Sequence, residues 1–150
     1  MSSSTSGKKY RYLDHTADIE FVAFGKTKEE AFANSLLAMF NVISDTDKLS
    51  ASKSRTKRIK IADAAPDMEE LLWRVLQDAL SNADAEGMFA YDVESVSIKE
   101  KDGSYRFSAY VLCRGKDPDL AKFDVKGVSR FDMKLSSDNG GFSASVVLDV

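Results

Sequence analysis

Asp18-Ile19-Glu20-Phe21-Val22-Ala23-Phe24-Gly25-Lys26-Thr27-Lys28-Glu29-Glu30 carries a strand and a helix start side by side. From Ile19 to Phe24 the run is extended, with Ile19, Phe21 and Ala23 on one face of a strand. Gly25 ends it. Thr27 followed three residues later by Glu30 is a capping box, in which the threonine oxygen accepts from an early helix amide while the glutamate reaches back. Phe32, Leu36, Met39, Phe40 and Ile43 then recur at spacings of three and four, which predicts an amphipathic core helix reaching about Ser44.

Toward the C-terminus, Asp45 to Ser54 is polar and rich in Ser, Asp and Lys, and reads as an exposed connection before a short strand around Arg58 to Ala62. A second cap follows Pro66, Asp67 with Glu70 three residues on. Leu72, Val75, Leu76 and Ala79 supply the stripe of a second helix to about Asn82. Beyond Gly87 the pattern is β: Val93 to Ile98 alternates, then Ser104 to Arg114 carries Tyr105, Phe107, Ala109, Val111 and Cys113 on one face. Asp102-Gly103 makes the turn between them. Phe123 to Leu135 and Phe142 to Val150 read as two more strands joined across Asn139-Gly140-Gly141. Toward the N-terminus, Tyr10 and Tyr12 alternate with polar residues, whereas Met1 to Lys9 is Ser-rich and predicts a flexible tail. The expectation is therefore one domain over residues 10–150 of α+β class, a largely antiparallel or mixed sheet with two amphipathic helices packed on one face.

The composition narrows the function classes. A single cysteine, Cys113, excludes an intrachain disulfide and a zinc finger, and suits a reducing, cytoplasmic setting. No run approaches the roughly 18 apolar residues of a spanning helix, so no membrane role is expected. A formal net charge of −3 argues against a chain whose main task is gripping nucleic-acid phosphates alone, and any RNA contact is expected through a partner.

Asp14-His15-Thr16-Ala17-Asp18 gathers two carboxylates and the sole imidazole within five residues. Asp149 closes the apolar run Val146-Val147-Leu148, where an ionised carboxylate needs a partner if buried. Should the last strand pair beside the DHTAD strand, Asp18 and Asp149 present hard oxygen ligands suited to Ca²⁺, Mg²⁺ or Mn²⁺. The plainer readings stand beside this one. Asp, Thr and His in a turn cap backbone amides, and Asp149 could pair with Lys126 or Arg130, or simply be solvated. Neither common phosphate cradle is present, no serine sits in a G-x-S-x-G setting, and Cys113 reads as a buried thiol. The basic stretch Lys53-Ser54-Arg55-Thr56-Lys57-Arg58-Ile59-Lys60 is a secondary candidate for phosphate contact.

The chain as a whole resembles the archease family. Tyr12-Leu13-Asp14-His15-Thr16-Ala17-Asp18 resembles its opening YLDHTAD, and Gly25-Lys26-Thr27 through Asn34 its GKTLEEAF helix start. Leu36 to Asp45 is similar to its AMFxxMTD segment, Met68 to Leu76 to its second helix, Val125-Lys126-Gly127-Val128 to its VKAVT strand, and Val147 to Val150 to its terminal LDI. The resemblance implies an accessory protein, not itself an enzyme, that activates RtcB-type RNA ligases. Those are GTP- and Mn²⁺-dependent enzymes of tRNA splicing and RNA repair, and their guanylylation and turnover it would promote. It further implies metal-binding carboxylates at Asp18 and Asp149, with Asp14 in the same signature, a functional lysine at Lys126, and His15 in an accessory part. The implied cofactor is a divalent ion, calcium ahead of magnesium or manganese. An alternative is a chaperone-like modulator of RNA-modifying enzymes such as a tRNA methyltransferase; a free-standing metal-dependent phosphohydrolase ranks last. Two departures stand out: Ser129-Arg130-Phe131 replaces a histidine-containing segment, and Gly127 replaces the usual alanine.

Overall fold

The computed structural model describes residues 8–13 and 18–150. Strand β1 (Tyr10–Leu13) pairs antiparallel with β2 (Asp18–Gly25). The residues between them, Asp14 to Ala17, lie outside the described residues, as does most of the expected tail. Lys9 is within them: its carbonyl accepts from the Phe24 amide at 2.8 Å.

β2 runs into helix α1 (Lys28–Ile43) through the glycine and cap of the opening stretch. Gly25 is required sterically, because a Cβ there would stand 2.3 Å from the Ala31 nitrogen. The Thr27 hydroxyl accepts from the Glu30 amide at 3.1 Å, and Glu30 reaches back to the Lys26 amide at 2.8 Å, one residue before the helix cap itself. Phe32, Leu36, Met39 and Phe40 are fully enclosed as the stripe requires, with Ile43 at its margin.

The polar stretch after α1 is not a simple loop. Asp45 caps a short helix α2 (Thr46–Ala51) by accepting from the Lys48 amide. One apolar residue, Leu49, anchors it in a small cluster with Phe89 and Tyr91. Strand β3 (Lys57–Ala65) leads to α3 (Met68–Ala85), where Asp67 caps as expected, accepting from the Glu70 amide at 2.8 Å. Among the described residues the α-helices thus number three, not two.

β4 (Met88–Lys101) and β5 (Ser104–Gly115) form a hairpin whose turn, Asp102-Gly103, has φ of 54° and 74°. Both central residues being left-handed matches the right-handed twist of the strands. After a 3-10 turn, the expected strand from Phe123 to Leu135 is broken into β6 (Gly127–Val128) and β7 (Lys134–Asp138). Ser129 to Met133 bulges out between them. There Arg130 ion-pairs with Glu70 of α3 and stacks over Trp73, whose indole N–H donates to the Val128 carbonyl at 2.8 Å. β7 turns into β8 (Gly141–Asp149) at Asn139-Gly140, again with both φ positive, 45° and 77°.

The strands are antiparallel but part into two sheets. The first has the order β1-β2-β8-β6, with β7 also on β8. The second has the order β3-β5-β4. α1 packs on β2 and β8 of the first sheet and on β4 of the second; α3 packs on β3, β4 and β5 and touches β6 and β7. One apolar core joins both sheets through these helices, with Phe32 of α1 stacked on Phe107 of β5, ring centroids 5.8 Å apart. Among the described residues, no helix is long and apolar enough to cross a membrane.

Candidate functional site

β8 is the inner strand of the first sheet, so its last residue has neighbours on both sides. Asp149 stands directly opposite Asp18 of β2 on one side and Gly127 of β6 on the other. Directly opposed residues in an antiparallel pair carry Cβ atoms about 4.5–5.5 Å apart on the same face. Two carboxylates therefore share one end of one sheet face, Asp18 half-buried and Asp149 exposed. A cation between them would offset the repulsion of like charges in this position. Among the described residues no third His, Cys, Asp or Glu converges on the pair. A hard cation with six to eight oxygen ligands would take the rest from backbone, water or a docked partner. The two-carboxylate donor set fits such an ion.

Lys126 sits immediately before β6 and meets Asp149 through the backbone: its N–H donates to the Asp149 carbonyl at 2.7 Å. Its exposed side chain lies on the rim of a cleft of about 600 Å³ between α1, α3 and the start of β4, floored by Phe40, Leu80 and Met88. Arg130, the other partner considered for Asp149, is engaged with Glu70 instead. Asp14 and His15 lie outside the described residues.

A residue the sequence did not single out connects the cleft to the carboxylates. Gln77 of α3 lines the cleft, and its Oε1 accepts from the Val128 amide at 2.6 Å, fixing β6 on the helix. A Cβ at Gly127 would lie 3.5 Å from that oxygen and 3.9 Å from Asp149 Oδ2, ordinary contacts, so alanine fits here as well. Nothing local marks Gln77; an isolated glutamine on a helix is unremarkable until its strand partner is known.

Cys113 is fully buried, and burial, reinforced by Glu86, pushes its thiol up to about 11. It is a packing residue, since a reactive thiolate needs a depressed value and access.

The model of the Archease protein family (MTH1598/TM1083) matches residues 10–150. The archease of Methanosarcina barkeri is 38% identical over 149 residues, covering 98% of this chain and 99% of its own. That of Pyrococcus furiosus is 32% identical, with 95% and 99% covered. Protein 1598 of Methanobacterium thermoautotrophicum superposes with a TM-score of 0.80 at 28% identity, over 95% of this chain and 99% of that one. A Thermotoga maritima structure described as an archease and possible chaperone gives 0.59 at 14% identity, over 92% and 94%, a likeness of fold alone. With the family model matched over residues 10–150 and its relatives covered along nearly their whole length, this chain belongs to the archease family.

Proposed function

We propose that this protein is an accessory factor, not an enzyme, that promotes guanylylation and repeated turnover of an RtcB-type RNA ligase. The observation that carries the reading is the register of β2 and β8, which sets Asp18 against Asp149. In this reading the two carboxylates hold a divalent cation, calcium ahead of magnesium or manganese, and the acidic end of the sheet docks at the ligase's nucleotide site. Bound there, the ion would offset charge developing on phosphate oxygens and the leaving pyrophosphate. Lys126, on the cleft rim beside this end, would meet phosphate or an acidic group of the ligase. Asp14 and His15 belong to the same proposal as a third ligand and a bracing group. RNA splicing and repair in the cytoplasm are the setting that the reading implies.

The test is a guanylylation assay with the ligase of the same organism, with and without this protein. Asp18→Ala and Asp149→Ala proteins are expected to remain folded, lose calcium binding measured by titration calorimetry, and fail to stimulate the ligase. Full stimulation by the folded double variant would overturn the proposal.

A second reading, a chaperone-like modulator of RNA-modifying enzymes, is favoured by one feature. Phe131 is 96% exposed at the crest of the loop pinned by Arg130. Suppression of a partner's aggregation that survives loss of Asp18 but not of Phe131 would select it.

A further inference from the structure

The basic stretch singled out in the sequence does not behave as one patch once it is folded. Strand alternation sends Arg58 and Lys60 of β3 to the outer face of the three-stranded sheet, while Ile59 and Ile61 face the core. The register then assembles a surface across three strands. Arg58 lies opposite Leu112, Lys60 opposite Tyr110, Ala62 opposite Ser108, and Ala64 opposite Arg106. On the far side of β5, Glu94 lies opposite Tyr110, Ser97 opposite Ser108, Lys99 opposite Arg106, and Lys101 opposite Ser104.

A bulge in β4 makes this possible. Two residues of β4, Ser95 and Val96, stand against one of β5, and Ser95 takes φ of 58°. The extra residue lets Glu94 and Ser97 both face outward while Val96 and Ile98 pack toward the core. α2 covers the Leu112 end of this face, and the rest is exposed or half-exposed.

The exposed part is strongly cationic on a chain whose formal net charge is −3. Arg58, Lys60, Lys99, Lys101 and Arg106 outnumber Asp92, Glu94 and the neighbouring Glu100. The Arg58 guanidinium lies 4.1 Å from the Tyr110 ring centroid and is held there by Glu94 at 2.8 Å, and the Lys60 ammonium lies 6.0 Å from the same ring. Beside them is a shallow hollow of about 300 Å³ bordered by Ser97, Lys99, Glu100, Lys101, Arg106 and Ser108.

We propose that this outer face binds single-stranded RNA. Its cations follow a phosphodiester backbone, and the flat Arg58–Tyr110 stack is a platform for an unpaired base. The neighbouring Ser97 and Ser108 hydroxyls give partners to a 2′-hydroxyl, the group that separates RNA from DNA. Small side chains at Ala62 and Ala64 let the strand approach the sheet. The face is separate from the Asp18–Asp149 pair, which lies on the other sheet, so the inference stands whether or not that pair holds a metal. An acidic protein surface would meet the same charges but has no use for the stacking platform.

The test is fluorescence anisotropy of a labelled single-stranded 12-nucleotide RNA with the isolated full chain. If about three phosphates are neutralised, affinity falls about 20-fold between 50 and 200 mM salt. The Lys60→Glu, Lys99→Glu, Arg106→Glu triple variant is expected to bind at least about tenfold more weakly at 50 mM salt. Tyr110→Leu is expected to weaken binding with the salt slope unchanged. Asp149→Asn is expected to bind as the parent does. Circular dichroism controls for folding, and the exposed Lys60→Gln substitution gives a smaller loss in the same direction should the triple variant not fold. Absence of salt-dependent binding would overturn the proposal. So would equal or tighter binding of single-stranded DNA or of an RNA duplex. Unchanged RNA binding by the triple variant, with loss of co-purification with the ligase, would assign the face to a protein partner instead.

Discussion

The five-stranded and three-stranded sheets close on one apolar core, yet they put their polar chemistry in different places. In the first, the middle strand β8 is apolar nearly to its end, and the charge stands at the last rung, where Asp149 meets Asp18. In the second, charge spreads over the open face of β3, β5 and β4, rung after rung, around the Tyr110 ring. A strand end concentrates two groups at one point, which suits a single ion. A sheet face repeats groups at every second residue, about 6.7 Å apart along a strand, which suits an extended polymer. The contrast depends on the shared core, because neither sheet has a second layer of its own to lean on.

The largest expected effect comes from breaking that core. Phe107→Ala removes the ring stacked on Phe32 and is expected to cost about 3–5 kcal/mol, measured by urea denaturation. Because the core is continuous, loss should appear as one transition reported equally by probes in both sheets. Two separated transitions would show that the sheets are independent.

A smaller effect sharpens the difference in charge management. Asp63 occupies a core-facing position of β3, opposite Phe107 and beneath α3, and its Oδ2 is buried with no donor to meet it. Burial, followed by the proximity of Asp78, pushes its carboxyl up to about 7, with Arg74 pulling the other way. Folding therefore takes up a proton. The unfolded chain releases it near 3.8 and the folded chain near 7, so stability falls as pH rises through that window and levels off above it. Asp63→Asn keeps a neutral donor for Asp78 at every pH. Its thermal midpoint should exceed that of the parent at pH 8, by about 2–4 °C for each kcal/mol relieved, with the gain shrinking toward pH 4. A constant difference across pH would rule out proton sharing.

The smallest effect concerns the strand end. Without divalent metal, Asp149→Asn removes one of two opposed like charges and is expected to leave stability unchanged or raise it by up to about 1 kcal/mol. Addition of calcium should stabilise the parent and not the variant, read as a midpoint shift. A destabilised variant would mean that Asp149 serves the fold.

Local chemistry was legible in the sequence where backbone geometry demands particular residues. Thr27 and Asp67 cap the two long helices as their spacing predicts, and Asp102-Gly103 and Asn139-Gly140 turn where left-handed backbone is needed. α2 escaped notice because six residues with one buried apolar side chain show no periodicity; Phe89 and Tyr91, distant in sequence, hold it. The parting into two sheets was equally hidden, since alternation tells which face a residue takes but not which strand it joins. The bulge at Ser95 explains why Val93, Val96 and Ile98 fail to alternate strictly. At the site, the DHTAD segment and the acidic end of the last apolar run suggested Asp18 with Asp149 on the condition that their strands pair, the family resemblance pointed to the same two residues, and the register puts them opposite each other. Asp63 and Gln77 gave no signal, because their importance lies wholly in what packs against them.

The pairing of β2 with β8 has a kinetic meaning. Its two strands lie about 130 residues apart, and closing so long a loop is favourable only after intervening elements have shortened the path. The opposed carboxylates are thus expected to come together late as the chain folds. A half-folded molecule carries the same two residues far apart and has no clamp to offer. On the proposed function the site would thereby act as its own inspection mark: a partner that recognised it would recognise a finished protein.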